Sequence, residues 1–481
     1  MRGLGRGLVW FLVFVGLASA VIGSLGAPLI TAVAEAYGVS LAASQWTLTI
    51  ALLAGSVATP VLGRLGSGSR RRTVVLTVLG VEVVGSLLTV IPLPFALLLL
   101  GRAAQGSGLG LVVLMMAVAR DHLDEQRAAR TIALLSVAST AGIGIGYPLS
   151  GILTDQFGVR AAYGLGLVVT VAALVAAVFM LPHAPTRPPT TTRPDGPTPA
   201  STSTRSDVRG APASTSTRFD VRGVVLLAIA LPALLLVIGE TRLWQHHAGL
   251  AVVILVAALL VLFGWAVLEA RTEHPLVDVR LLRHPAVAAA NVVMLVGGVG
   301  MYLLFSLITR YVQTPTAAGY GFGLSTFEAG LVLVPFSVLG FVAGRLVPGW
   351  REWLGARLLL GASTSVVLAA FVLFAVARAQ LVLPIVAIGV LGFGVGAFSA
   401  AMPAVILAVT PAAETASAMS VNAVVRSVGF STGSALGGLI LAAHTTGTFP
   451  TESGFTTAAW IGAAATTGTL LIITLLPLKP R

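Results

Sequence analysis

Three arginines, Arg70 to Arg72, run into TVVLTVLGVEVVGSLLTVIP (Thr73–Pro92), in which Glu82 is the only charged residue. A helix needs about twenty mostly apolar residues to cross a bilayer. This stretch therefore reads as one crossing that starts at a basic, cytoplasmic end. Residues 161–181 and 355–377 have the same length and character. Working outward, the pattern places crossings at 8–30, 45–63, 73–92, 94–119, 131–153, 161–181, 222–240, 249–269, 287–309, 325–345, 355–377, 381–408, 416–441 and 455–476. The fold expected is an all-α polytopic membrane protein of 14 helices, grouped six, two and six.

Composition supports this. The chain of 481 residues is 56% hydrophobic and 10% charged, whereas soluble domains carry about 25% charged residues. A net charge of +12 would suit nucleic acid, but the distribution of the basic residues argues against that partner. They concentrate in alternate connectors: Arg2 and Arg6; Arg64 and Arg70 to Arg72; Arg120, Arg127 and Arg130; the stretch 182–222; Arg271, Arg280 and Arg283; Arg345, Arg351 and Arg357; Lys479 and Arg481. The other connectors hold only Arg160, Arg242, Arg310 and Arg378. That asymmetry is an orientation signal, with both termini on the cytoplasmic face of the cell membrane. The chain has no cysteine, which excludes disulfides and thiol chemistry. Residues 1–20, ending in Ala18-Ser19-Ala20, imitate a secretory signal. The apolar run continues to Ile30, long enough for a retained crossing.

The chain divides into an N-terminal six-helix bundle (1–181), a cytoplasmic linker (182–221), two inserted helices (222–269), a cytoplasmic connector (270–286) and a C-terminal six-helix bundle (287–481). The linker is rich in Pro, Ser, Thr and Arg and cannot bury a core, so disorder is expected there. Within it PASTSTRSDVRG (Pro199–Gly210) recurs as PASTSTRFDVRG (Pro212–Gly223), either replication slippage in an unconstrained segment or a docking site. The outer blocks also echo each other: Gly63-Arg64-Leu65 returns as Gly344-Arg345-Leu346, and Gly106, Gly108 and Gly110 return as Gly392, Gly394 and Gly396. Two halves built on one plan around an axis along the membrane normal would produce this.

GRLGSGSRRR (Gly63–Arg72) resembles the loop motif between helices two and three of the major facilitator superfamily. LGRAAQGSG (Leu100–Gly108) resembles its fourth-helix arginine motif, and GIGIGYPLSG (Gly142–Gly151), continued by LTDQFGVR (Leu153–Arg160), its fifth-helix antiporter motif. Glu269 with PLVDVRLL (Pro275–Leu282) is similar to the link before the ninth helix in the fourteen-helix drug:proton antiporter branch. The resemblance covers almost the whole chain. It implies a rocker-switch exporter whose cavity is lined by helices one, two, four and five with nine, ten, twelve and thirteen, and whose inserted pair is peripheral. Gly63, Arg64, Arg70, Arg71, Gly142, Gly146 and Pro148 match the conformational motifs. Ser67 replaces the loop motif's aspartate, which removes a charge–helix lock, and Ser19 stands where the first helix usually has its proton-binding acid. Tyr147 replaces a proline, but Pro148 beside it still provides a kink.

Arg102 is the leading candidate for function, because a guanidinium at membrane depth costs about 2.5–3.5 kcal/mol on insertion scales unless something polar receives it. It either gates or couples protons through Gln105, or bonds to carbonyls of a neighbouring helix. Arg426 is the second case; Asn422, four residues earlier, shares its helical face, which suits a cavity wall or helix packing. Glu82 is either a protonated structural glutamate or a proton carrier. Asp155 is a coupling acid or the partner of Arg160 in an outer-gate ion pair. Glu240, on the inserted pair, is remote from coupling. Trp46, Gln105, Met115, Met294, Tyr302, Phe336, Phe398 and Asn422 are the candidate cavity wall, since methionine and aromatic surfaces accept varied shapes; packing or lipid-facing roles are the alternative. The connector 310–325 is either a cap over the exit path or a flexible turn.

Lys479 is the only lysine, so there is no Walker A loop. The seven histidines show no metal-ligand spacing, and His246-His247 reads as a solvated loop pair. No cofactor and no enzymatic constellation are expected, and an ion gradient remains as the drive. The expectation is a monomeric exporter of hydrophobic or amphiphilic small molecules, such as antibiotics, in exchange for protons and in contact with membrane lipid. The alternative is a same-fold exporter of lipid or an endogenous metabolite with different or no proton coupling.

Overall fold

The computed structural model describes residues 2–25, 29–39, 41–66, 70–182, 220–239, 241–272, 275, 277, 279–408, 410, 415–446 and 449–475. Pro28, Ser67, Glu240, Asp278 and most of the linker with its duplication lie outside them. The N-terminal group comprises α1 (Arg2–Ser24), a short α2 (Ile30–Tyr37), α3 (Leu41–Leu65), α4 (Arg71–Val90), α5 (Phe95–Gly106), α6 (Leu111–His122), α7 (Glu125–Phe157) and α8 (Val159–Met180). A 3-10 turn, Ser107–Gly110, joins α5 to α6 as one broken rod. Next come α9 (Val221–Gly239), a short α10 (Thr241–His246) and α11 (Ala248–Arg271). The C-terminal group comprises α12 (Pro285–Gln313), α13 (Thr326–Val332), α14 (Val334–Val376), α15 (Val382–Leu407), α16 (Thr415–Ala443) and α17 (Glu452–Leu475). A two-stranded antiparallel ribbon, β1 (Thr445–Thr446) with β2 (Phe449–Pro450), joins α16 to α17.

Among the described residues, eleven helical stretches are long and apolar enough to cross a membrane. Phe327–Val376 is fifty residues long, and it is broken at Gly355, whose φ of 71° lies in the left-handed region that glycine tolerates best. The first crossing differs from its expected bounds: α1 stops at Ser24 rather than running to residue 30. At the start of α7, Asp124 caps the helix by accepting from the Arg127 N–H at 2.9 Å.

Apolar helices gain nothing from the hydrophobic effect by meeting inside lipid, so association depends on close packing of small residues. The glycines supply it in a repeated way. Gly106 and Gly110 bring the fourth rod onto α3, at Ala51 and at Leu62 with Thr59; Gly392 and Gly396 bring α15 onto α14, at Phe336 and Gly340. Gly142 and Gly146 seat α7 on Ala20 and Ser24 of α1, while Gly429 and Gly433 seat α16 on Leu295 and Val299 of α12.

The two groups meet along two seams. In one, Gly144 of α7 abuts Ser337 of α14 and Gly344 abuts Val137, leaving no space for a β-carbon. In the other, α3 faces α16, and α9 fills the gap with Leu227, Leu231 and Leu235 packed near Leu53, Val61, Val421 and Val424. This corrects the expectation that both inserted helices are peripheral. Only α11, with Leu260 and Phe263 exposed, is an outlying helix.

Candidate functional site

Between the groups lies a cavity of about 460 Å³. Its wall comes from α1 (Ser19, Ala20), α3, α6, α7 (Ser136), α12, α14, α15 and α16, with Leu235 of α9 closing one side. Met294, Tyr302, Phe336 and Asn422 line it as the sequence predicts, and so does Arg426. Tyr302 stacks on Phe430 with centroids 5.1 Å apart, and Phe305 packs against Phe336 at 5.0 Å. Asn422 donates weakly to the Asn291 side chain at 3.4 Å. Arg426 donates through Nη1 to the carbonyl of Ser136 in the opposite group at 3.3 Å.

The other candidate wall residues sit elsewhere. Trp46 is 45% exposed, Met115 is buried in the N-terminal core, and Phe398 is buried against Gly297. Gln105 belongs to a polar network around Arg102. The fully buried Arg102 donates from Nε to the Thr47 carbonyl at 2.9 Å, and from Nη1 to the Ile22 carbonyl at 3.2 Å and Gln105 Oε1 at 2.7 Å. Gln105 in turn donates to Ser86 Oγ at 2.9 Å, and Thr170 Oγ1 lies 3.4 Å from the same hydroxyl. The Tyr163 ring lies 5.9 Å from the guanidinium carbon. Bonds from a charged donor contribute about 1.5–3 kcal/mol each, so three of them offset the insertion cost of the charge. The network ties α1, α3, α4, α5 and α8 together. It takes the carbonyl-bonded form anticipated for Arg102 and does not line the cavity.

Glu82 is buried on α4 with its carboxylate against Gly108, where a β-carbon would collide with it. Asp155 is exposed, and the expected pair with Arg160 is not among the ion pairs of the described residues. Asp155 and Arg160 are both exposed, and neither is in the cavity wall.

The conformational motifs are better placed. Gly142 and Gly146 pack α7 on α1, and Pro148 lies inside α7 near Gly330. Gly63 is buried, Arg64 half-buried and Arg70 exposed at the basic end. Arg71 donates from Nε to the Gly66 carbonyl at 2.8 Å and forms an ion pair with Asp121 at the end of α6. This pair ties α4 to α6 within the N-terminal group; Ser67, the position of the expected missing lock, lies outside the described residues. Sequence reasoning missed Asp121 because its partner is fifty residues away and no local pattern links the two.

It also missed Arg120, which crosses between the groups at the basic end. Its guanidinium donates to Thr415 Oγ1 at 2.7 Å, the Thr410 carbonyl at 2.8 Å and the Leu407 carbonyl at 3.2 Å. The connector 310–325 is packed by aromatic contacts rather than forming a loose turn. Tyr311 and Tyr320 pack with Phe374 and Phe455, and the Tyr320 hydroxyl donates to the Pro450 carbonyl, which fastens the connector to the far end of the C-terminal group.

The model of the Major Facilitator Superfamily matches residues 11–387. The multidrug resistance protein B homolog of Mycobacterium tuberculosis (strain ATCC 25618 / H37Rv) is 27% identical over 372 residues, 76% of this chain and 63% of that protein. The uncharacterized MFS-type transporter YvkA of Bacillus subtilis (strain 168) is 23% identical over 330 residues, 68% of this chain and 64% of its own length. The chain thus spans just under two thirds of both relatives. Among solved structures, the human organic anion transporter MFSD10 (TETRAN) shares the fold at a TM-score of 0.65 and 14% identity, over 98% of this chain and 99% of that one.

Proposed function

Because the chain belongs to the Major Facilitator Superfamily, and is thus a multi-pass membrane transporter rather than an enzyme, we propose that it exports hydrophobic or amphiphilic small molecules by alternating access. The observation that carries this is the cavity, walled by both groups with methionine and aromatic side chains. Multidrug resistance is named for one of the relatives. Rocking about the α7–α14 and α3–α16 seams would expose that cavity to each face in turn, with Arg120 as the tie at the basic end and Arg71–Asp121 stiffening the N-terminal group.

The architecture in this reading has fourteen crossings. Eleven stretches qualify by length and hydropathy; the break at Gly355 makes Phe327–Val376 two crossings, and α7 and α9 supply the others. The six–two–six division at residues 181, 221, 269 and 286 follows, with the basic end and both termini cytoplasmic by the positive-inside rule. A single chain walls the cavity, which fits a monomer.

Proton antiport is the coupling that the family resemblance implies, with Asp155 and Glu82 as its candidate acids and Arg102 as a gating residue. The second reading, export without proton coupling, has an observation of its own: no carboxylate lines the cavity among the described residues. Inside-out vesicles carrying an amphiphilic dye decide between them. Dye accumulation abolished by nigericin, which collapses the pH gradient, supports antiport. Accumulation that survives nigericin and yields to valinomycin supports the second reading, and no gradient-dependent accumulation defeats both.

A further inference from the structure

We propose that the cavity selects amphiphilic organic anions, a carboxylate or sulfonate carried on an aromatic body, with Arg426 as the group that receives the negative charge. The inference rests on the reading of this cavity as the transport path. Among the described residues Arg426 is the one cation in the wall, and no carboxylate faces it. Glu82, the buried acid of α4, packs against Gly108 inside the N-terminal group and is not part of that wall. A fixed positive charge in an apolar cavity attracts an anion and repels a cation far more strongly than it would in water. It therefore acts as both the attractive and the rejecting element.

The guanidinium has five N–H donors, and among the described residues its one hydrogen bond is the long donation to the Ser136 carbonyl. Its remaining donors are available to a ligand. Phe430 is four residues further on, so it shares the helical face of Arg426; with Tyr302 stacked on it and Phe305 and Phe336 beyond, it provides an aromatic wall about one helical turn from the charge. A ring system bearing one anionic group matches that spacing. Asn422, one turn to the other side, adds a neutral polar group.

Two consequences follow. An anion on Arg426 sits beside the donation to Ser136 and shares the same guanidinium charge, so the ligand lies at a bond that spans the two groups, which links ligand binding to their relative motion. The membrane potential, negative inside, by itself favours export of such a ligand: 100 mV sustains a gradient of about fifty-fold for one charge. No proton carrier in the cavity is then required.

Anilinonaphthalene sulfonate and phenylnaphthylamine share one aromatic body and differ by the sulfonate, so they serve as matched probes for the full chain in nanodiscs. The wild type should favour the sulfonate over the neutral probe. Arg426→Ala should lower the sulfonate-to-neutral affinity ratio about tenfold or more, the loss of one charge-assisted bond, and Arg426→Lys should restore most of it. A wild type that binds both probes equally overturns the proposal, as does a ratio unmoved in both variants. If Arg426→Ala fails to fold, the wild-type preference and the Arg426→Lys ratio still decide. In proteoliposomes with an imposed potential, outward movement of the neutral probe without the sulfonate refutes anion selection and leaves export standing. Sulfonate binding through Arg426 with no movement of either probe refutes export and leaves the selectivity standing.

Discussion

The two helix groups pack on the same glycine plan and fill it with opposite chemistry. Four residues before Gly106, and one before it, the N-terminal group has Arg102 and Gln105; at the same offsets from Gly392 the C-terminal group has Ile388 and Leu391, all four buried. The middle glycines differ likewise: Gly108 faces the Glu82 carboxylate, and Gly394 faces Val367. Helices in both halves approach equally closely, so the arginine network is not what makes the plan fit. A buried polar network adds little net stability over well-packed apolar residues of similar volume. What the network adds is a set of directional bonds from the fourth rod to the carbonyls of Ile22 and Thr47, which define one position of α1 and α3 relative to it.

The largest expected effect breaks that network halfway. Arg102→Ala leaves a void and strips Gln105 of its charged partner, at a cost of about 3 kcal/mol, visible as a drop in thermal stability in detergent. Writing the C-terminal pattern into the N-terminal group, Arg102→Ile with Gln105→Leu, should recover most of that loss, ending within about 1.5 kcal/mol of the wild type. Transport should nevertheless fall at least about tenfold. Full transport by the double variant would mean that the network is packing and nothing more.

A smaller effect separates the two middle glycines. Gly394→Ala meets the backbone of Val367 at 3.0 Å and of Ser363 at 3.1 Å, as well as the Val367 side chain at 2.8 Å, so neighbours cannot simply turn away. Overpacking of this kind costs about 1–3 kcal/mol. Gly108→Ala meets only the flexible end of Glu82, and adding Glu82→Ala should relieve it. A double-mutant cycle on Gly108 and Glu82 should therefore show favourable coupling of about 1 kcal/mol. Additive costs would mean that the carboxylate does not fill the space that Val367 fills in the other half.

Much of this symmetry was legible in the residues, and the exceptions have physical causes. Crossings such as 73–92 and 161–181 coincide with α4 and α8 within a few residues, because length and apolarity alone decide a span. The Gly106 to Gly110 echo was readable because both copies sit in one short string. Gly429 and Gly433, which repeat the roles of Gly142 and Gly146, carry no such string and emerge only from the packing. The cavity wall was half legible for a related reason. A helix that is apolar all round has no periodicity that separates cavity, packing and lipid faces, so Met115 and Phe398 read like Met294 and Phe336. Polar residues marked faces more reliably, as Asn422 and Arg426 do. The ties of Arg71 to Asp121 and of Arg120 to Thr415 join distant parts of the chain, and local spacing is silent about such pairs.

The smallest effect tests whether the halves are held together asymmetrically at their ends. At the basic end the N-terminal group reaches across through Arg120, and an exposed bond from Gln126 to Glu352 lies beside it at 3.4 Å. Arg120 is half-buried and donates three bonds to the α15–α16 turn, so Arg120→Ala should shift the balance between closed and open basic ends by about 1–2 kcal/mol. Glu352→Gln, at an exposed contact, should shift it by less than about 0.5 kcal/mol. The absence of cysteine makes the measurement clean: Glu125→Cys with Gly349→Cys, both at exposed positions, places one spin label on each group, and double electron–electron resonance reads their separation. A longer-distance population that grows with Arg120→Ala but not with Glu352→Gln assigns the tie to Arg120. Equal growth in both variants would assign it instead to general charge at that end, where salt would abolish the difference.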